Sequence, residues 1–144
     1  MRRALFAALV IGLVVGTDEK KDDNKKDLDH LKGNWTIVSM ELDGKTNEGA
    51  IDGKFSFDGE NMRIQIKDME HKGTFKLDTG KKPKQINVTP ADGPEKDKVL
   101  EGIYELAKDE LKICIGHDSE AARPKEFESK EGSHHLLVKL KREK

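Results

Sequence analysis

From Gly33 onward the apolar residues recur with period two in short runs, and that constrains the fold more than any other feature of the chain. Phe55 and Phe57 alternate with Lys54, Ser56 and Asp58; Met62, Ile64 and Ile66 alternate with Arg63, Gln65 and Lys67. Gly73, Phe75 and Leu77 continue the pattern, followed by Ile86 and Val88, then by Leu100, Gly102, Tyr104 and Leu106. Leu111, Ile113 and Ile115 form the next run, and Leu136, Val138 and Leu140 the last. Each run has one apolar face and one largely polar face, as an antiparallel strand with water on one side requires. Asp43-Gly44, Asp52-Gly53, Asp58-Gly59 and Asp92-Gly93 are turn dipeptides. Pro83, Pro90, Pro94 and Pro124 fall at run edges, where a missing N–H costs least. No amphipathic helix of about 10–15 residues separates the runs, which argues against a parallel α/β fold. The expectation is an all-β, antiparallel up-and-down barrel of about 8–9 strands.

The first strand breaks phase. Trp35 and Ile37 share one parity, while Val38, Met40 and Leu42 share the other. Either a β-bulge between Ile37 and Val38 keeps all five inside, or the strand is covered on both faces. Ahead of it, Leu28 and Leu31 suit a short helical turn, N-capped by Asp27 and closed by Gly33.

The chain before that turn divides in two. Residues 1–16 have a positive start, Arg2-Arg3, and an apolar run from Ala4 to Val15. That run is short of the roughly 20 residues that span a bilayer, so it reads as a cleaved secretory signal peptide. The expected location is therefore secreted or periplasmic, with no integral membrane segment after cleavage. Residues 17–27 carry nine charged side chains in eleven, of both signs, and read as a flexible linker. The barrel domain is then 28–144.

Over its 144 residues the chain carries 27 basic and 28 acidic side chains, a formal charge of −1. That balance argues against a nucleic-acid partner. The one cysteine, Cys114, excludes an internal disulfide and reads as a small packing residue. The five histidines, His30, His71, His117, His134 and His135, form no metal motif, so no metal and no cofactor is expected. His117-Asp118-Ser119 places triad residue types in a row, but sequence neighbours lack the geometry of a base reaching a nucleophile. No catalytic residue is assigned and no enzymatic activity is expected. Arg123-Pro124-Lys125-Glu126-Phe127 reads as a lid or clamp closing one barrel end, with Phe127 as its anchor.

Gly33-Asn34-Trp35, opening the first strand after a helical turn, resembles the G-x-W signature of lipocalins. The resemblance implies that Trp35 plugs the closed end of the barrel and that a basic residue near the end of the last strand packs over it. Arg142, in phase with Leu136, Val138 and Leu140, fits that role. Across nearly the whole chain after residue 16 the sequence is similar to small secreted lipocalin-like proteins of planctomycete-type bacteria. The matching stretches include Leu31–Trp35, Gly73–Asp78, Asp92-Gly93-Pro94, Gly102–Leu106, Leu111–Cys114 and Arg123–Phe127. The resemblance implies a calycin-type barrel and brings no activity and no ligand-binding residues. Many such proteins carry a lipid-attachment cysteine at the cleavage site, and this chain does not. The function expected is a monomeric binding protein for a small apolar ligand. The alternative is an envelope protein-interaction or inhibitor module acting through loops around a filled barrel. Gly73 and Gly102 on inward phases favour a cavity; Phe55, Phe57, Phe75 and Tyr104 would fill one.

Overall fold

The computed structural model describes residues 23–143; the expected signal peptide, 1–16, and the start of the expected linker lie outside them. A helix, α1, covers residues 23–31. Nine strands follow: β1 (Gly33–Leu42), β2 (Lys45–Thr46), β3 (Lys54–Asp58), β4 (Asn61–Ile66), β5 (Met69–Asp78), β6 (Lys84–Pro90), β7 (Leu100–Leu106), β8 (Glu110–Gly116) and β9 (His135–Arg142). All pairings are antiparallel, each strand from β4 to β9 lies beside its predecessor in a continuous meander, and β1 pairs with both β3 and β9. Eight strands therefore close a barrel, and β2 is a short addition to the edge of β1. Among the described residues, closure leaves no long unpaired strand edge to recruit another chain.

The turn chemistry accounts for the tight connections. Asp43 and Gly44 both take positive φ, 51° and 80°, the backbone that a two-residue hairpin needs. Gly73 and Gly102 sit where neighbouring strands crowd together. A Cβ on Gly102 would lie 2.7 Å from the Cys114 carbonyl oxygen, and one on Gly73 would lie 2.7 Å from the Thr89 carbonyl oxygen. Both are therefore fixed as glycine by strand approach.

The phase slip in β1 is a bulge. Ile37 pairs with Leu140 and Ser39 with Lys139, leaving Val38 unpaired. Trp35, Ile37 and Met40 are buried, but Val38 is 52% exposed and Leu42 only half-buried. The expectation of five inward side chains is corrected: the bulge restores the inward phase for Met40 by expelling the inserted residue.

The structure revises the segment before β1. Asp27 lies within α1 rather than at its N-cap, and residues 23–27, expected as linker, are helical. Asn24 Oδ1 accepts from the Thr79 backbone N–H at 2.9 Å, and Asp27 Oδ2 accepts from the Tyr104 hydroxyl at 2.6 Å and from Lys84 Nζ at 3.0 Å. Those bonds reach from α1 to strands far along the chain, so this part of the charged run is held against the barrel.

Residues 117–134, between β8 and β9, also depart from expectation. They do not close a barrel end; they run across the outer wall of β6–β9. Ile103, Cys114 and Leu137 stand side by side on that outer face, Ile103 paired with Cys114 and Cys114 with Leu137. Phe127 packs on them. Arg123 donates to the Gly102 carbonyl at 2.8 Å and to Asn87 Oδ1 at 2.7 Å, and pairs with Glu101 at 3.0 Å. An apolar row on the wrong side of three strands needs a cover, and this strap supplies it.

Candidate functional site

The two ends of the barrel differ. Strand direction places the start of β1, the end of β9 and α1 at one end. Trp35 is fully buried there and its Nε1 donates to the Leu31 carbonyl at 2.9 Å. The Arg142 guanidinium lies over its ring, 4.3 Å from the centroid, and donates to the His30 and Lys32 carbonyls. Gly33, with φ 125°, lets the chain leave α1 and enter β1 directly beneath Arg142. A guanidinium on an indole face contributes about 0.5–2 kcal/mol. It also satisfies carbonyls at the C-terminal end of α1 that helical bonding leaves free.

Above this plug the interior is packed with rings. Phe55, Phe57, Phe75 and Tyr104 are each buried, and Phe57 meets Phe75 edge-on at 5.3 Å between centroids. Burial first, and then the neighbouring Asp27 carboxylate, push the Tyr104 phenol well above the usual tyrosine range. It is a hydrogen-bond donor there, not a base.

The opposite end is open. A pocket of about 360 Å³ lies at the mouth. Met62, Ile64, Gly73, Val88, Pro90 and Leu100 supply its apolar wall. Ile64, Val88 and Leu100 pack against the core yet stay partly exposed, because no ring fills the space beyond them. The barrel is thus filled at the α1 end and hollow at the mouth. Gly73 lines this hollow, as its inward phase suggested.

Polar groups stand around the rim. His71 continues the inward phase of Gly73 and Phe75, and His117 that of Ile113 and Ile115; both line the pocket. His71 Nδ1 lies 3.1 Å from Asp92 Oδ1. Asp92 belongs to the loop 91–99 between β6 and β7, so this contact ties that loop to β5 across the mouth. The hydrogen bond from His71 is the main reason that the Asp92 carboxyl sits below the usual carboxylate range, with the Lys72 backbone N–H and the charges of His71 and Lys72 adding to it and desolvation opposing. Glu95, on the same loop, pairs with Lys98 at 3.7 Å.

The remaining sequence candidates are dispersed. His30 meets the Lys108 carbonyl at 3.0 Å, His135 the Ala122 carbonyl at 2.8 Å, and His134 the Asp118 carboxylate at 3.5 Å. Asp118 Oδ1 accepts from the Glu120 and Ala121 N–H groups, so the His117-Asp118-Ser119 row is a loop turn and not a nucleophile with its base. Among the described residues, no group of three or more His, Cys, Asp or Glu side chains is placed to hold a metal ion. Cys114 is buried under the strap, its Sγ 3.3 Å from the Glu128 carbonyl, and burial pushes its thiol above the usual range. No described helix is long and apolar enough to cross a membrane.

No family model matches the chain, and neither a curated protein nor a solved structure matches it.

Proposed function

We propose that the chain is a lipocalin-like binding protein, exported by its first 16 residues, that holds a small, largely apolar ligand in the open mouth of its barrel and performs no chemistry on it. The observation that carries this reading is the asymmetry of the interior: rings pack one end, while about 360 Å³ of apolar-walled space stays empty at the other. That volume lies within the range of ligand sites, roughly 300–1,000 Å³. At the ~30 Å³ that a water occupies in the liquid, it admits about a dozen non-hydrogen atoms. A micromolar Kd requires about 8 kcal/mol. Over about a dozen atoms that is about 0.7 kcal/mol each, within what small ligands achieve. The Trp35–Arg142 plug supports the lipocalin-like assignment by the role it gives each residue, a floor and its cover.

Calorimetric titration with octan-1-ol tests the reading. Saturable binding is expected, and Leu100→Trp, which places an indole in the mouth, is expected to remove it. A second reading, docking of a partner protein at this end, is favoured by one observation. Ile51, Met69 and Val99, three of the four exposed large apolar side chains among the described residues, sit in or beside connections at the mouth end. Octan-1-ol titration without heat, together with co-purification of a stoichiometric protein, would favour that reading over the first.

A further inference from the structure

We infer that the α1 end of the barrel is a docking surface for an anionic phospholipid bilayer, which leaves the open mouth facing away from the membrane.

The surface is a patch of unengaged lysines. Asn24 Oδ1 accepts from the Thr79 backbone N–H at 2.9 Å and from its hydroxyl at 2.6 Å, so the first turn of α1 lies against the β5–β6 connection, 79–83. Lys25 and Lys26 come from that turn, Lys81 and Lys82 from that connection, and all four are exposed. Among the described residues, no hydrogen bond or ion pair engages any of the four ammonium groups. The nearby carboxylates on the strands and at the foot of α1 have other partners. Asp27 holds Lys84 and Tyr104, Asp78 accepts from the Gly80 N–H at 3.0 Å, and Glu105 pairs with Lys112 at 3.7 Å. Asp23 and Asp29 on α1 are left to oppose the four lysines, so the patch keeps a positive excess.

An apolar floor adjoins it. A shallow groove of about 280 Å³ has Pro83, Leu106 and Phe127 in its wall, with Lys81 and Lys82 on the same lining. Ammonium groups around an apolar floor match the level of a bilayer at which phosphates lie just above the acyl chains. The charge of the two barrel ends sets the orientation. The connections at the mouth, 47–53, 67–68 and 91–99, carry six carboxylates against three lysines, whereas those at the α1 end, 59–60, 79–83 and 107–109, carry two against three. An anionic surface attracts the second end and repels the first.

The chain itself selects a bilayer over other polyanions. Residues 16–22 join the apolar run, Ala4 to Val15, to α1, and at full extension they reach about 25 Å at most. The α1 end is therefore the part of the barrel nearest a membrane while that run is engaged there. This choice rests on the export reading, but the vesicle test does not use it, so either can fail alone.

The test is co-sedimentation of the full chain with vesicles of phosphatidylcholine alone and of equal parts phosphatidylcholine and phosphatidylglycerol. Binding is expected to be stronger on the anionic vesicles and to return to the neutral level at about 0.5 M salt, where charges are screened beyond a few ångströms. Lys81→Ala/Lys82→Ala is expected to weaken partitioning onto anionic vesicles about 30-fold, about five-fold for each lysine at such a surface. Lys96→Ala/Lys98→Ala removes the same charge from the mouth end and is expected to leave partitioning unchanged. Residues 1–16 are common to all three proteins and cancel in these ratios. All four substituted lysines are exposed, so the variants keep their cores, which unchanged thermal midpoints verify. Equal binding to neutral and anionic vesicles, an unchanged partition for Lys81→Ala/Lys82→Ala, or an equal loss in both variants would overturn the inference. Binding of polyglutamate without vesicle binding would overturn the bilayer in favour of an acidic protein.

Discussion

The contact between Asp27 and Tyr104 makes a prediction with an unusual sign. Tyr104 is 1% exposed and its hydroxyl donates to Asp27 Oδ2 at 2.6 Å, a short charge-assisted bond. Asp27→Ala leaves that hydroxyl buried without an acceptor, at about 1–3 kcal/mol. It also removes the contact with Lys84, which is 41% exposed and therefore worth about 0–1 kcal/mol. The expected loss is about 1–4 kcal/mol. Tyr104→Phe removes the bond but leaves Asp27 with Lys84, so it costs less, about 1–2 kcal/mol. In the double variant no hydroxyl remains to be orphaned. Adding Tyr104→Phe to Asp27→Ala is therefore expected to recover about 1 kcal/mol, not to cost more. Equilibrium urea unfolding measures this; at a slope near 1.5 kcal/mol/M, Asp27→Ala lowers the midpoint by about 0.7–2.7 M. Additive losses in the double variant, or a loss below about 0.5 kcal/mol for Asp27→Ala, would refute the idea that Asp27 fastens α1 to the barrel.

Three further predictions follow from the walls and the rim. Phe127→Ala uncovers Ile103, Cys114 and Leu137 and is expected to cost about 1–2 kcal/mol, less than a fully buried ring because Phe127 is only partly buried; thiol-reagent kinetics should show Cys114 slow in the native chain and markedly faster in the variant. Val38→Ala is expected to change stability by no more than about 0.5 kcal/mol, whereas Ile37→Ala costs about 2–5 kcal/mol, so denaturation midpoints of the two neighbours separate the expelled residue from the buried one. Because the Asp92 carboxyl is depressed, its contact with His71 contributes fully above the unfolded carboxylate value near pH ~4 and is lost as pH falls through the lower folded value; the stability difference between the native chain and Asp92→Asn, read by acid titration from pH ~5 downward, is expected to shrink toward zero.

The strands were legible because their cause is local. An alternation such as Phe55–Ser56–Phe57 states which side of a pleat is dry, and the runs at 62–67, 100–106 and 136–141 coincide with β4, β7 and β9 to within a residue or so. The break at Ile37–Val38 was legible as a bulge, but not which residue it would expel, since that depends on the register with β9. The strap was misplaced although its signal was present: Ile103, Cys114 and Leu137 are apolar residues on polar phases of three strands. Their meaning required knowing that those strands are neighbours in register. Asp27 read as a cap because Asp suits that position, and its true partners lie 57 and 77 residues away. The mouth pocket was the least legible feature. Whether Ile64, Val88 and Leu100 close over one another or stay apart depends on where the rings settle, and alternation carries no information about that.

The account's central claim, a barrel filled at the α1 end and hollow at the mouth, is tested most directly by methyl-resolved NMR during titration with octan-1-ol. The account predicts saturable shifts of the Ile64, Val88 and Leu100 methyl groups, with those of Leu31, Ile37 and Leu111 unmoved. Shifts confined to the outer face around Val38, or an absence of saturable shifts at the mouth, would contradict it.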